Sequence, residues 1–165
     1  MNDVLKAIRT RRSVRHYTDA SVSREQIEAI LEAGRFAPSG KNTQPWRFVV
    51  VESEAKSSEL AMLFPQQGLV AAAPVTLAVL LDREAGYDEL KDVQGIGAAI
   101  ENILLAIHSL GLGACWMGRA RDKEIERFLG AREGEELMAI IPIGHPAEVS
   151  TPTPRLSLQE IARFI

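Results

Sequence analysis

The segment VTLAVLL, residues 75–81, has apolar side chains at every position but one and shows no helical period. Such a run predicts a strand that is buried on both faces of a sheet. The segment WRFVVV, residues 46–51, has a similar character, and residues 113–117 and 137–143 are predicted to form two further buried strands. We therefore expect a sheet in which residues 46–51 and 75–81 are central strands.

Periodic apolar residues predict helices between these strands. The second helix has clear boundaries, because Ser23 and Gln26 form a capping box at its start and Gly34 is expected to end it in a left-handed conformation. A long helix at 93–107 is apolar over most of its circumference, which is typical of a helix buried inside a domain or against another subunit. The other predicted helices lie at 4–8, at 55–64, after the capping residue Asp122, and after a second capping box of Ser157 and Glu160, which follows a tail where Pro142, Pro146, Pro152 and Pro154 oppose regular structure.

Length and composition restrict the class of protein. The chain has 165 residues, of which 46% are hydrophobic and 25% charged, so we expect one ordinary folded domain over residues 1–165. Its net charge of −3 offers no general cationic surface to nucleic acid. The longest apolar stretch, 69–81, is interrupted by Pro74 and is shorter than the roughly 20 residues that cross a membrane. Because Cys115 is the only cysteine, a reducing compartment, the cytoplasm, is predicted.

Four arginines near the N-terminus stand out in this acidic chain. Arg9, Arg11, Arg12 and Arg15 lie within seven residues, beside the hydroxyl group of Ser13. A solvated helix end is the ordinary explanation for such a run of charge. The alternative is a phosphate cradle, because the planar guanidinium group can bind two phosphate oxygens at once.

The segment APSGKNTQPW, residues 37–46, is a second unusual feature, because it combines turn residues with two amides and an indole. The amides of Asn42 and Gln44 can recognise the donors and acceptors on the edge of a heterocycle. A purely structural turn, buried by Trp46, is the alternative interpretation. Both interpretations place the segment in a loop that joins a helix to a strand.

Other motifs that carry chemistry are incomplete. Neither 95–97 nor 111–113 continues to the third glycine of the dinucleotide-binding GxGxxG motif. The three histidines are widely separated, no serine lies in a GxSxG motif, and Cys115 has no neighbouring base in the sequence. We therefore predict neither a metal site nor a nucleophilic triad, and we expect a bound cofactor to supply the chemistry.

Taken in order, four pieces of the chain resemble the FMN-dependent nitroreductase family. They are RRSVR at 11–15, the residues around APS and QPW in 37–46, GLG leading into WMG at 111–118, and a final set of Gly144, Pro146 and Arg155. The resemblance implies an α+β fold with a mostly antiparallel central sheet flanked by helices, a homodimer, and FMN at the dimer interface. It also implies an NAD(P)H-dependent oxidoreductase that reduces nitroaromatics, quinones or similar acceptors by a ping-pong mechanism. A specialised flavin enzyme of the superfamily, catalysing reductive dehalogenation or dehydrogenation, and a non-enzymatic flavin-binding protein are the alternatives.

The resemblance also assigns roles to individual residues. Arg15 is expected beside the N1 and O2 edge of the flavin, where reduction places negative charge that a cation stabilises. Arg11, Ser13 and Arg155 are expected at the phosphate or ribityl chain, with Arg12 adding charge. Contacts from the other subunit are expected from Pro38, Ser39 and Asn42. The remaining expected cofactor contacts are Gln44, the backbone of Trp116, Met117 and Gly118 near N5 and O4, and either Gln66 or Gln67.

Two departures from the family pattern bear on the substrate and the phosphate site. Many family members have an excursion before the long helix that covers the substrate pocket, whereas residues 82–92 leave little room for one. Thr153 stands where the family often has a basic residue two positions before the last arginine. We therefore expect an uncovered pocket and one phosphate contact fewer.

Overall fold

A four-stranded sheet forms the centre of the molecule. Its strands are β1 (Trp46–Val51), β2 (Val75–Asp82), β3 (Gly113–Ala114) and β4 (Glu135–Gly144). They are arranged in the order β1-β2-β4-β3, and every neighbouring pair is antiparallel. This arrangement is that of the computed structural model of the chain, which describes residues 2–64, 67–118, 121–148 and 151–165.

The described ranges also contain seven helices. Both predicted capping boxes are present, at Ser23 with Gln26 and at Ser157 with Glu160, and the carboxylate of Asp122 accepts backbone N–H groups at the start of its helix. Within these ranges no helix is long and apolar enough to cross a membrane. The helices are α1 (Asp3–Thr10), α2 (Arg24–Arg35), α3 (Glu54–Ala61), α4 (Gln67–Ala71), α5 (Glu89–Ser109), α6 (Lys123–Phe128) and α7 (Leu158–Ile161), and a 3-10 turn covers Gly40–Asn42.

Strand β2 supplies both cores of the molecule, because successive side chains point to opposite faces of a sheet. Leu77 and Val79 pack with α2 and α5 on one face, whereas Ala78 and Leu80 pack with α3, α4 and α6 on the other. The prediction that 75–81 is a strand buried on both faces is therefore confirmed.

Gly34 does not end α2 as predicted. The helix continues to Arg35, and its capping residue is Phe36, which has a φ of −83°. Glycine is needed for a different reason, because a Cβ atom at position 34 would lie 2.8 to 2.9 Å from side-chain atoms of Ile103 and Phe48. The glycine allows α2 to approach α5 and the sheet closely.

Three predictions about strands require correction. Strand β1 is an edge strand paired with β2 alone, and its four inner residues are only partly buried. Strand β3 is much shorter than the predicted 113–117, although Met117 forms a separate bridge with Ile140. Pro142 lies inside β4 rather than in an irregular tail. The ladder accommodates this proline, and the Pro142 carbonyl accepts hydrogen bonds from the Cys115 N–H and the Tyr17 hydroxyl.

The segments that connect β1, β2 and α5 also differ in detail from the prediction. The helix predicted at 55–64 ends at Ala61, and α4 is an additional helix that precedes β2. Only residues 83–88 connect β2 to α5. There is consequently no inserted element between β2 and α5, as the sequence predicts.

Candidate functional site

The arginine-rich segment at residues 11–18, called the strap below, is held in an extended conformation across the end of β4. The Val14 N–H donates to the Ala114 carbonyl at 2.9 Å, and the Thr18 N–H donates to the His145 carbonyl at 2.9 Å. The Ala147 N–H donates to the His16 carbonyl, also at 2.9 Å. The strap therefore has a fixed backbone, although the Arg15 side chain on it is exposed.

Tyr17 anchors the same strap through its side chain. Its hydroxyl group is 2.8 Å from the Val14 carbonyl oxygen and 3.0 Å from the Pro142 carbonyl oxygen. Burial, with a smaller contribution from nearby Cys115, raises the pKa of the phenol well above its usual value. Tyr17 consequently stays protonated and serves as a hydrogen-bond donor that ties the strap to β4.

A cavity of about 500 Å³ lies beside the strap and collects the predicted phosphate-binding residues. Glu148 also lines it, together with Val14, His16, Thr151 and Thr153, so one carboxylate faces the cluster of cations. The predicted residues that line the cavity are Arg11, Arg12, Ser13, Arg15 and Arg155. Residues from the N-terminal strap and from the C-terminal tail thus meet at one site.

The arginines in this cavity differ in the hydrogen bonds that they already make within the protein. The buried Nε atom of Arg11 has no hydrogen-bond partner, and its nearest carboxylate oxygen, on Glu101, is 3.7 Å away. Arg12 directs Nη1 at the carbonyl oxygens of Arg9 and Arg11, at 2.8 and 2.7 Å, and so also caps the end of α1. Arg155 donates to the neighbouring Pro154 carbonyl at 3.2 Å. The unpartnered donor on Arg11 fits an anionic ligand that has acceptor oxygens.

A second, larger cavity of about 1120 Å³ adjoins the first at Arg15 and His16, which line both. Met117 and Gly118 line this second cavity, whereas Trp116, which is 44% exposed, lines neither. Most of the remaining wall is apolar and was missed by the sequence analysis: Tyr17, Phe64, Gly68, Leu69, Ala72 and Cys115. The apolar stretch 69–81 contributes Leu69 and Ala72 to this wall. The sequence alone could not distinguish residues that line a cavity from residues of the core.

The predicted loop residues are not brought to either cavity within one protomer. Pro38, Ser39, Asn42 and Gln44 line neither of them. Within the loop, the Gln44 N–H donates to Ser39 Oγ at 3.0 Å, and Gln44 Nε2 donates to the Asn42 carbonyl at 3.2 Å. The candidates Gln66 and the side chain of Gln67 lie outside the described residues.

His108 reports the positive potential of the arginine cluster. Its Nε2 atom is 2.8 Å from Thr10 Oγ1, and its pKa is lowered by burial and, to a smaller extent, by the charges of Arg11 and Arg12. An anion bound by these arginines would oppose their effect on the imidazolium. The direction in which an added anion shifts the pKa of His108 therefore tests whether the cavity binds anions.

We expect inorganic phosphate to raise the pKa of His108 in the cofactor-free protein, followed by NMR titration of the imidazole protons. Chloride at the same ionic strength is the control and should have a much smaller effect on the pKa of His108, because it screens charge without binding as a multidentate oxyanion. A His108 titration that does not respond to phosphate, or that moves to lower pH, would contradict an anion site at Arg11 and Arg12.

Metal ligands are not grouped in the part of the chain that the structure describes. Within it, no set of three or more His, Cys, Asp or Glu side chains lies close enough to hold a metal ion. The candidate site is instead cationic at one end and largely apolar at the other.

Fold and site together define an α+β protein in which an arginine-lined cavity adjoins a larger, mostly apolar one. The chain belongs to the nitroreductase family, whose model matches residues 8–71 and 57–145. The family and the α+β fold that the sequence predicts are both confirmed.

Similar proteins of known name support the assignment to this family. A protein of Methanothermobacter thermautotrophicus, provisionally named NADH dehydrogenase/NAD(P)H nitroreductase, is 39% identical over 150 residues, covering 88% of this chain and 78% of the relative. An FMN reductase [NAD(P)H] of Bacillus subtilis is 29% identical and is aligned over 98% of this chain and 73% of its own length. A crystal structure of a provisionally named nitroreductase from Desulfovibrio desulfuricans in complex with FMN is 42% identical, with a TM-score of 0.87 over 98% of this chain and 96% of that one.

Proposed function

We propose that this protein is an FMN-dependent oxidoreductase that takes reducing equivalents from NAD(P)H and delivers them to a small aromatic acceptor. The observation that carries the proposal is the arginine-lined cavity, which joins a larger, mostly apolar cavity at Arg15. Names of relatives, among them an FMN reductase and an NADPH-flavin oxidoreductase, support the same activity. The chain is proposed to form one FMN-binding domain over residues 1–165, and its buried free thiol, Cys115, supports a cytoplasmic location.

The residues present fit FMN by the chemistry of their donors. Arg11, Ser13 and Arg155 would hold the phosphate, since fixed cations and a hydroxyl group line that cavity. Arg15 would lie at the N1 and O2 edge, and the strap backbone together with Tyr17 keeps its Cα in place. When bound, FMN supplies the two-electron redox chemistry. The protein then has to orient the ring and leave one face open to substrate.

The first experiment identifies the cofactor. We expect the purified protein to be yellow and to release FMN on heating, as measured by chromatography of the supernatant. Release of FAD or of a nicotinamide, or no binding after reconstitution with FMN, would contradict the proposal. Anaerobic addition of NADPH or NADH then separates an enzyme from a flavin-binding protein, because only an oxidoreductase should bleach its flavin rapidly.

Turnover is proposed to be ping-pong, because the chain carries neither a dinucleotide-binding motif nor a catalytic triad, so the nicotinamide and the acceptor would use the cavity beside Arg15 in turn. Reciprocal plots with both substrates varied should give parallel lines. Intersecting lines would indicate a ternary complex and would contradict a single cavity that both substrates use in turn. Reductive dehalogenation is the less favoured alternative, because the six-residue connection 83–88 provides no covering element over the cavity.

A homodimer is proposed because large apolar side chains are exposed at both ends of the chain. On α1 they are Val4, Leu5 and Ile8, each at least 50% exposed. Contiguous apolar surface of this kind marks an interaction site on a soluble protein. A second copy would cover these faces, and it would bring its Ser39 and Asn42 to the flavin. The exposed apolar residues of the tail are Leu156, Leu158, Ile161, Phe164 and Ile165.

Sedimentation velocity tests the dimer. We expect the wild type to sediment as a dimer at micromolar concentration. Leu5→Ala with Ile8→Ala should raise the dissociation constant at least about 100-fold, since each side chain is lost twice per dimer at roughly 1.5 to 3 kcal/mol for full burial. The control is Met62→Ala, which removes an exposed apolar side chain from the end of α3. A monomer that retains FMN and full activity at nanomolar concentration would be incompatible with a site shared between subunits.

A further inference from the structure

The loop Ser39–Gln44 has an unusual backbone. Lys41, Asn42 and Gln44 have φ values of 52°, 57° and 50°, a region that residues with side chains rarely adopt. Three such residues within one short loop cost free energy, so contacts elsewhere must hold the loop in place. Hydrogen bonds inside the loop, such as those from the Gln44 N–H to Ser39 Oγ and from the Asn42 N–H to the Ser39 carbonyl, contribute only part of this restraint.

Tyr87 supplies a restraint from outside the loop. A Cβ atom at Gly40 would lie 2.2 Å from the Tyr87 hydroxyl oxygen, so the ring packs directly on the backbone at that position. The Nζ atom of Lys41 lies 4.5 Å from the centroid of the same ring, within the range of a cation–π interaction. One aromatic side chain therefore contacts two consecutive residues of the loop, one of which has the left-handed conformation.

Asp92 in turn fixes Tyr87. It is 6% exposed, and its Oδ2 atom accepts the N–H groups of Tyr87 and Asp88 at 2.9 and 3.0 Å. A Cβ atom at Gly86 would lie 2.4 Å from the same oxygen, so the chain can approach the carboxylate only with glycine there. The short connection between β2 and α5 is thus tied to the first turns of α5, and Tyr87 is held over the loop.

From these contacts we propose that Tyr87, held by Asp92, is a positioning residue that fixes the loop Ser39–Gln44 in the conformation required for FMN binding. The inference rests on the proposed function, in which Ser39 and Asn42 contact the flavin. Tyr87 acts through the loop, because its own contacts are with Gly40 and Lys41. The connection 83–88 then has a role in cofactor binding although it adds no cover to the pocket.

The test compares Tyr87→Ala with the conservative Tyr87→Phe. Tyr87 is 40% exposed, so both variants are expected to fold, which circular dichroism and the melting temperature check. In the cofactor-free protein, amide hydrogen exchange of residues 40–44 should accelerate at least tenfold in Tyr87→Ala and less than twofold in Tyr87→Phe. The FMN dissociation constant should follow the same order, with at least a tenfold increase for Tyr87→Ala.

A double-mutant cycle with Gly40 provides an independent measurement. Gly40→Ala introduces the Cβ atom that meets the Tyr87 hydroxyl oxygen, and by itself it should weaken FMN binding. In the Tyr87→Ala background the same change should cost little, because its collision partner has been removed. Lys41→Met, which removes the ammonium group over the Tyr87 ring, should also weaken FMN binding. Lys56→Met, which removes an ammonium group 5.4 Å from the Phe128 ring centroid, is its matched control and should leave FMN affinity unchanged.

The outcomes separate this inference from the proposed function. Failure of the wild-type protein to bind FMN would contradict both the proposed function and the inference about Tyr87. A wild type that binds FMN, with Tyr87→Ala binding it equally well or with unchanged exchange in the loop, overturns the inference about Tyr87 alone. Additive effects of Gly40→Ala and Tyr87→Ala would likewise contradict it, because residues that act through one contact are not additive.

Discussion

Replacing Arg11 and Arg155 together by alanine should nearly abolish FMN binding. Each arginine is expected to make a charge-assisted hydrogen bond to the phosphate, and such bonds contribute roughly 1.5 to 3 kcal/mol each. The loss of both therefore predicts a dissociation constant raised by roughly 100-fold to 10,000-fold. Isothermal titration of the cofactor-free protein with FMN measures this change.

Arg35→Ala is the control for the loss of charge. Arg35 forms a pair with Glu32 on the exposed end of α2 and lines neither cavity. Arg35→Ala should leave the affinity for FMN within about twofold of the wild type, because it removes a charge remote from both cavities, and the exposed pair that it breaks contributes little to stability. If Arg35→Ala weakens FMN binding as much as Arg11→Ala or Arg155→Ala alone, the positive charge of arginines in general, and not the arginine-lined cavity, attracts the phosphate.

Arg15→Ala should lower the reduction potential of the bound FMN by roughly 30 to 60 mV. Reduction places negative charge at the N1 and O2 edge, and a cation there favours the reduced form. A charge-assisted hydrogen bond contributes roughly 1.5 to 3 kcal/mol, and about 30 mV corresponds to 1.4 kcal/mol for a two-electron couple. Arg15→Lys should lose less, since the positive charge remains.

Arg11→Ala is the matched comparison for Arg15→Ala. A phosphate contact binds oxidised and reduced FMN alike, so this variant should lose affinity with little change in potential. Both variants are titrated with FMN saturating the protein. Equal shifts of potential in the two variants, or a shift to higher potential in Arg15→Ala, would show that Arg15 does not lie at the N1 edge.

Local sequence signals predicted much of the fold because they describe interactions between residues that are close in the chain. The capping boxes at Ser23 and Ser157 depend on a contact three residues away, and both are present. The role of Gly34 could not be predicted in this way, because the side chains that require glycine there come from α5 and β1. The edge position of β1 likewise depends on the order of strands, which hydrophobicity alone does not determine.

The distinction between contacts that are local in the chain and contacts that only folding creates also applies to the candidate site. The arginine cluster was visible as a run of charge, and the cavity that it lines also includes the predicted Arg155 from the far end of the chain. Phe64 and Leu69 of the apolar wall were missed because a buried core residue and a pocket residue look alike in sequence. Tyr87 was missed because its partners in the loop, Gly40 and Lys41, are distant in the chain and are brought to it only by folding.

Arg155 reaches the arginine-lined cavity from a tail in which every residue from Thr151 to Ile165 is exposed. A ligand that binds this arginine must hold the tail at the cavity, and by thermodynamic reciprocity a tail held at the cavity must favour the ligand by the same factor. In the proposed complex, where Arg155 binds the FMN phosphate, the protease sensitivity of the C-terminal segment therefore reports whether the cofactor is bound. Loading with cofactor should protect this segment from proteases, and an antibody or tag that immobilises the tail away from the cavity should promote release of the cofactor.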